Sequence, residues 1–304
     1  MDMKNYRKGH SNIEFMKKLD KNTDCAVVYV LGQSNAHAHC QAMKEEDIIS
    51  DPLKNVHTLC TEHNQSFDVK DLVWSNFTSY GYNLGETQDC TYSFASYLAK
   101  NWQKRIDDGE KLPDLYIVQM SIGGQMIIGG MWDPNYSKPR VLTSGTYVVC
   151  EIALYNLAMH ILPLVHEDLS KRFKHPQSIG IHWIGSEGDT SPGAYDRPDF
   201  HDIYYNFFKN IVDATGFESP LYLYKIVREK KFTSKGESIE GIKAVNNEFK
   251  VLTELIDNCE IVDPKQADFY DPSMLTDNIF SDDLSHYDKR TQEWFAKNFM
   301  KQIL

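Results

Sequence analysis

The 304-residue chain carries 32 Lys+Arg against 43 Asp+Glu, a formal net charge of −11. That balance sets it apart from proteins that bind a phosphate backbone, so no nucleic-acid partner is expected. Its hydrophobic content of 41%, with 17 Gly and 11 Pro, is that of a folded globular protein and not of a disordered or collagen-like one.

Met1 to Thr23 alternates charges with single hydrophobics and lacks the apolar segment of about 7–15 residues that marks a secretory signal. No apolar stretch approaches the roughly 20 residues that cross a bilayer, so neither a signal peptide nor a transmembrane segment is expected, and no membrane partner. The six cysteines, Cys25, Cys40, Cys60, Cys90, Cys150 and Cys259, are scattered without a CxxC pair and read as reduced thiols in packing roles.

The β-rich run Cys25–Leu31 leads into Gly32-Gln33-Ser34-Asn35 and then His37-Ala38-His39. Asp51–Thr87, rich in Asn, Asp, Gly and aromatics, reads as an insertion lying over a sheet, because about 80 residues separate the first two strand runs, more than a crossover needs. Thr91–Arg105 then sets Phe94, Leu98 and Trp102 on one helical stripe. A second strand run, Leu115–Met120, opens into Ser121-Ile122-Gly123-Gly124-Gln125, and Val148–Leu162 forms a helix with Cys150, Leu154, Leu157 and Ile161 on one face, closing before Pro163.

The third run, Ser178–Ile184, is followed by Gly185-Ser186-Glu187-Gly188-Asp189. Helical patterns over Ile203–Val212 and Ile242–Ile256 alternate with strand runs at Leu221–Val227 and Glu260–Val262, and Arg290–Leu304 is a final helix. Alternation of this kind predicts α/β construction on a mainly parallel sheet of five strands. With no repeat and no linker, the simplest organisation is one domain over 1–304 with an insertion at 51–87.

In an open parallel sheet, ligands bind beyond the carboxyl ends of the strands, which is where Ser34 stands. Gly32 permits a sharp turn, and a serine opening the next helix has a free hydroxyl and a backbone N–H able to face an oxyanion; the alternative is an ordinary helix cap. Asp283-Leu284-Ser285-His286, just before the final helix, offers a carboxylate and an imidazole three residues apart, as a serine nucleophile requires of its base; the alternative is a turn in an acidic segment. His37 and His39 with His182 form a rival, metal-binding constellation, short of ligands. Trp74, Phe77, Tyr80, Tyr82, Trp132 and Tyr136 read either as core packing or as a surface that stacks on sugar rings.

The combination of Gly-Gln-Ser-Asn after the first strand with Asp-x-x-His before the last helix resembles the SGNH hydrolases, in their sialate O-acetylesterase-like and acetylxylan-esterase-like branch. Ser121–Gln125 followed by Trp132 resembles the Gly-Gly-Thr block of those enzymes, and His182–Asp189 resembles their Trp-x-Gln-Gly-Glu-x-Asp block. The four blocks run from Leu31 to His286 in the family's order. The resemblance implies a flavodoxin-like three-layer sandwich with sheet order 2-1-3-4-5 and a triad of Ser34, Asp283 and His286. It further implies an oxyanion and substrate site around Ser34, Gly124, Gln125, Gln33, Asn35, Gly185 and Glu187, with no cofactor and no metal.

On this reading the chain removes O-acetyl groups from a carbohydrate. The alternative is a carbohydrate-binding or particle-attached module of the same fold with little turnover, and the expected settings are cytoplasmic or a phage particle. Three positions depart from the family pattern: Gly185 replaces a glutamine whose amide binds the oxyanion, Ser186 replaces a glycine, and Gln125 replaces a threonine. Gln125 is a candidate substitute donor, and Glu187 reads equally as part of the site or as a solvated acid.

Overall fold

Strand β1 (Cys25–Gly32) is buried along its whole length, as expected of a Val-rich strand with sheet on both sides and helices on both faces. The computed structural model describes residues 18–39, 41–86, 90–136, 152–227, 238–271, 279–280 and 286–304. Around β1 stand β2 (Val56–Leu59), β3 (Trp74–Asn76), β4 (Asp114–Ser121), β5 (Pro176–Ile184), β6 (Leu221–Tyr224) and β7 (Cys259–Val262), in the order β3-β2-β4-β1-β5-β6-β7. Only β3 is antiparallel.

The five expected strands are therefore present in the expected order, β4-β1-β5-β6-β7. The count rises to seven because the 51–87 segment does not simply lie over the sheet: it extends the edge, β2 pairing with β4 and β3 with β2.

Alternate residues of β1 feed two cores, as the pleat demands. Cys25, Val27, Tyr29 and Leu31 join α2 (Leu154–Arg172), α3 (Phe200–Ala214) and α4 (Ile239–Leu255), whereas Ala26, Val28 and Val30 join α1 (Phe94–Asp107) and α5 (Lys289–Ile303). This is a three-layer α/β/α sandwich.

Helix α2 does not stop before Pro163 but runs through it. Proline inside a helix costs about 3 kcal/mol, yet Leu157, Ala158, Ile161 and Leu162 before it and Val165 and Leu169 after it are all buried on the same helix. At about 1.5–3 kcal/mol for each large apolar side chain, their burial outweighs the lost hydrogen bond. Val148 and Cys150, placed on this helix by the sequence, lie outside the described residues, as does Cys40.

Register is what positions the loops. Gly32 is opposite Ser121 of β4 and Ile184 of β5, so the segments beginning at Gln33, Ile122 and Gly185 leave the sheet at one level. Gly32 has φ 142°, and a Cβ there would stand 2.1 Å from the Ile184 carbonyl oxygen. Gly32→Ala is expected to lower the folding free energy by more than about 3 kcal/mol, read as the shift in the urea unfolding midpoint; a wild-type midpoint would show that the approach of β1 and β5 is not tight.

Candidate active site

Ser34 follows β1 within a run of turns over 34–39, and not at the start of a helix. Ala38, with φ 54°, takes the chain out of the right-handed helical region. The turns are closed by Ala36 N to Gln33 O at 2.8 Å and His39 N to Ser34 O at 2.9 Å, and Gln33 N donates to Ile184 O at 3.1 Å. Ser34 is buried to 7% exposure.

Asn35 links three parts of the chain. Its Nδ2 donates to Glu187 Oε1 at 2.5 Å, its Oδ1 accepts from Tyr287 N at 3.0 Å, and its carbonyl accepts from Gln292 Nε2 at 2.9 Å. Tyr287 follows His286 directly, and Gln292 lies in the first turn of α5. The turn carrying His286 is held further by Asp288, which caps α5 through Thr291 N at 2.8 Å, and by Asp288 N donating to Ile279 O at 3.0 Å.

The His286 ring packs on His39 with centroids 5.3 Å apart, and His39 lies 6.0 Å from His37. The turn of His286 thus lies against the 34–39 loop, joined to it by the His39 ring contact and by the Asn35–Tyr287 hydrogen bond across 252 positions. Asp283 lies outside the described residues.

On the β4 side, Trp132 Nε1 donates to the Gly32 carbonyl at 2.8 Å. Trp132 is wholly buried against Trp183 and Phe207 and supports the Ser34 loop through that bond. A Cβ on Gly123 would stand 4.0 Å from Ser34 Cβ, whereas one on Gly124, at φ 70°, would meet nothing. Gln125 is buried and its side-chain oxygen accepts from Met131 N at 3.2 Å, so that oxygen braces the 122–132 turn.

On the β5 side, a Cβ on Gly185 would lie 3.3 Å from Gly32 Cα and 3.4 Å from Gln33 N. Ser186 has φ 77° and its Oγ accepts from Trp183 Nε1 at 2.9 Å; the left-handed backbone explains why glycine suits this position. Glu187 is 4% exposed, which excludes the solvated reading, and its Oε2 has no hydrogen-bond partner among the described residues. Asp189 accepts from Ile127 N at 3.2 Å and Ile128 N at 2.9 Å, tying the β5 loop to the β4 loop. Burial pushes its carboxyl up to about 7, against the opposing pull of the two backbone donors.

His182 does not join His37 and His39. It faces the α1/α5 core, with Nδ1 at 2.9 Å from the Tyr224 hydroxyl and rings of Phe94, Tyr222 and Phe299 around it; burial holds its imidazole well below the ordinary histidine range. Among the described residues, no three His, Cys, Asp or Glu side chains are grouped to hold a metal ion. The aromatic set is mostly packing: Phe77, Tyr82 and Trp132 are buried, Trp74 is half-buried and donates to Asp168, Tyr136 packs on the core, and Tyr80 is exposed.

Two residues of the site carry no sequence signal. Glu86 places Oε2 2.7 Å from Gly123 N and 3.6 Å from His37 Nε2, and Asn83 accepts from Ser121 N at 2.9 Å while donating to Ser121 O at 3.0 Å. Both come from the long 51–87 segment, where no strand or helix periodicity marks them.

Among solved structures, the chain is similar to NanS, a sialate O-acetylesterase, with 12% identity and TM-score 0.59 over 93% of this chain and 98% of that one. It is similar also to a protein of Arabidopsis thaliana, with 13% identity and TM-score 0.54 over 92% and 99%. Both likenesses are of fold, an α/β fold consistent with that of the SGNH hydrolases. No family model matches the sequence, and no curated protein does. Within this fold, the Ser34, Gly123 and Gly185 loops lie at the switch point, where β4 and β5 diverge to either side of β1.

The Asp189 carboxyl gives a pH test of how the β4 and β5 loops are joined. A carboxyl that binds its proton more tightly folded than unfolded stabilises the protein fully below about pH 4, and the contribution is lost as pH rises to about 7. Asp189→Asn is expected to flatten the fall in thermal midpoint between about pH 4 and 7; an unchanged slope would remove Asp189 as its source.

Proposed function

We propose that this chain is a serine ester hydrolase that removes O-acetyl groups from a carbohydrate through an acyl-enzyme. The observation that carries the proposal is the Asn35 link, which seats the turn of His286 against the loop of Ser34 at the level ends of β1, β4 and β5. A hydroxyl at a strand end, an imidazole beside it and backbone N–H groups on a neighbouring glycine loop are the parts that acyl transfer requires.

In the reaction, Ser34 Oγ attacks the acetyl carbonyl as His286 takes its proton. The N–H groups of Ser34 and Gly124 receive the negative charge of the tetrahedral oxygen. His286 then protonates the departing sugar oxygen, and in the second half it activates the water that releases acetate from Ser34. Asp283 has the role of fixing the imidazole tautomer, the third part of a triad. Acetylated sugar as substrate rests on the motif resemblance and on the likeness to a sialate O-acetylesterase at the level of fold.

A second reading is a carbohydrate-binding module with little turnover, and Gly185 is what favours it. With no side chain at the position of the family glutamine, one oxyanion donor is missing, a loss that costs about 10²–10³ in turnover.

Hydrolysis of a chromogenic acetate ester separates the two readings. The wild type is expected to turn over at least about 10³ faster than Ser34→Ala, with kcat/KM rising between about pH 5 and 8 as a histidine base loses its proton near 6.5. Equal rates in the two proteins, with glycan binding retained, would leave the binding module; a flat pH profile would remove the histidine base.

A further inference from the structure

Glu86 is placed by its backbone as firmly as any residue in the site. The chain over 83–86 runs along the end of β4 in a parallel bridge between Asn83 and Gln119, with Leu84 N donating to Gln119 O at 2.9 Å and Glu86 N donating to Ser121 O at 3.0 Å. Asn83 closes the turn from inside, its Oδ1 accepting from Gly85 N at 3.2 Å and its Nδ2 donating to Glu86 O at 2.7 Å. A Cβ on Gly85 would meet the Ser121 carbonyl oxygen at 2.4 Å, so the segment presses directly on β4.

The result is a carboxylate delivered to the doorstep of the nucleophile. The point where a Gly123 Cβ would stand is 3.3 Å from Glu86 Oε2 and 4.0 Å from Ser34 Cβ. The Glu86 side chain is only 12% exposed, and its one ion-pair contact among the described residues is the buried His37. On the β5 side, Glu187 Oε2 is buried and without a hydrogen bond among the described residues. Neither carboxylate has a Lys or Arg partner among the described residues, so the surroundings of Ser34 hold two carboxylates whose described counter-group is the His37 imidazole alone.

A carboxylate in such a place accepts hydrogen bonds from sugar hydroxyls, strengthens its hold on an ammonium and repels an anion, with little solvent to screen the effect. We infer that Glu86 is a specificity-determining residue that selects an uncharged or amino sugar as the alcohol half of the ester and rejects acidic sugars. This rests on the esterase reading above and deepens it: the likeness to a sialate O-acetylesterase extends to the fold, and Glu86 sets this site against a carboxylated sugar.

The test compares O-acetylated glucose, glucosamine and glucuronic acid in the full chain, as wild type, Glu86→Gln and Glu86→Ala. Glutamine retains an acceptor for Gly123 N, and thermal midpoints identify any variant that fails to fold. The wild type is expected to show kcat/KM at least tenfold lower for the acidic ester than for the other two. Glu86→Gln is expected to shrink that ratio at least tenfold, and rising salt to shrink it in the wild type, changes that a merely structural role does not produce. A ratio unaffected by either Glu86 substitution, or a wild-type preference for the acidic ester, overturns the inference.

Two controls separate this outcome from failure of the esterase reading. Hydrolysis retained by Ser34→Ala defeats that reading whatever Glu86 does. Binding of the three acetylated sugars, measured by calorimetry in the Ser34→Ala background with and without Glu86→Gln, reads charge selection without turnover. Weaker binding of the acidic sugar that is relieved by Glu86→Gln supports the inference; equal binding of all three sugars, or none, overturns it.

Discussion

The site depends on the register of β1 against β4 and β5, in which Gly32, Ser121 and Ile184 stand side by side. A shift of one residue would turn every side chain of β1 to the opposite core, and both cores are filled by fully buried residues of that strand. The energy that fixes the register is therefore the burial of Val27, Val28, Tyr29, Val30 and Leu31, at about 1.5–3 kcal/mol for each large side chain. The three loops inherit their common level from that packing, and their hydrogen bonds refine a position already set.

On this base the loops are joined by polar groups that have left water. Asn35 reaches the β5 loop and the turn before α5, Asp189 reaches the β4 loop, and Trp132 reaches back to Gly32. Buried side chains of this kind are costly when unpaired, so each restricts its loop to the arrangement that satisfies it. The His286 turn owes its place to this restriction, since it is fixed by Asn35, by the Asp288 cap and by Ile279.

The parts legible in the sequence are those governed by long apolar patterns. The runs that became β1, β4, β5, β6 and β7 marked the strands, whose order came from the motif resemblance, and the stripe of Phe94, Leu98 and Trp102 marked α1. Strands β2 and β3 escaped because they lie in the polar 51–87 segment, where no apolar run marks them, and they form by pairing with an edge that the sequence does not display. Pro163 misled because propensity is local, whereas the packing that overrides it is not. At the site, Ser34, Asn35 and His286 were visible as motif residues. Glu86 was not, because a glutamate in a long polar segment acquires meaning only from the two hydrogen bonds of its backbone to Asn83 and Ser121. The expected helix at Ser34 failed at one residue, Ala38, whose left-handed backbone no composition rule foretells.

The hydrogen bonds from Tyr287 and Gln292 to Asn35 also impose an order in time. They close across 252 and 257 residues, and loops of that length form late in folding. During synthesis at about 5–20 residues per second, the Ser34 loop leaves the ribosome long before the His286 turn exists. β1, for its part, gains its second neighbour only when β5 has followed. Through that interval the Ser34 loop stands without the turn that Asn35 later holds, and the two are joined only after the sheet has grown outward on both sides of β1.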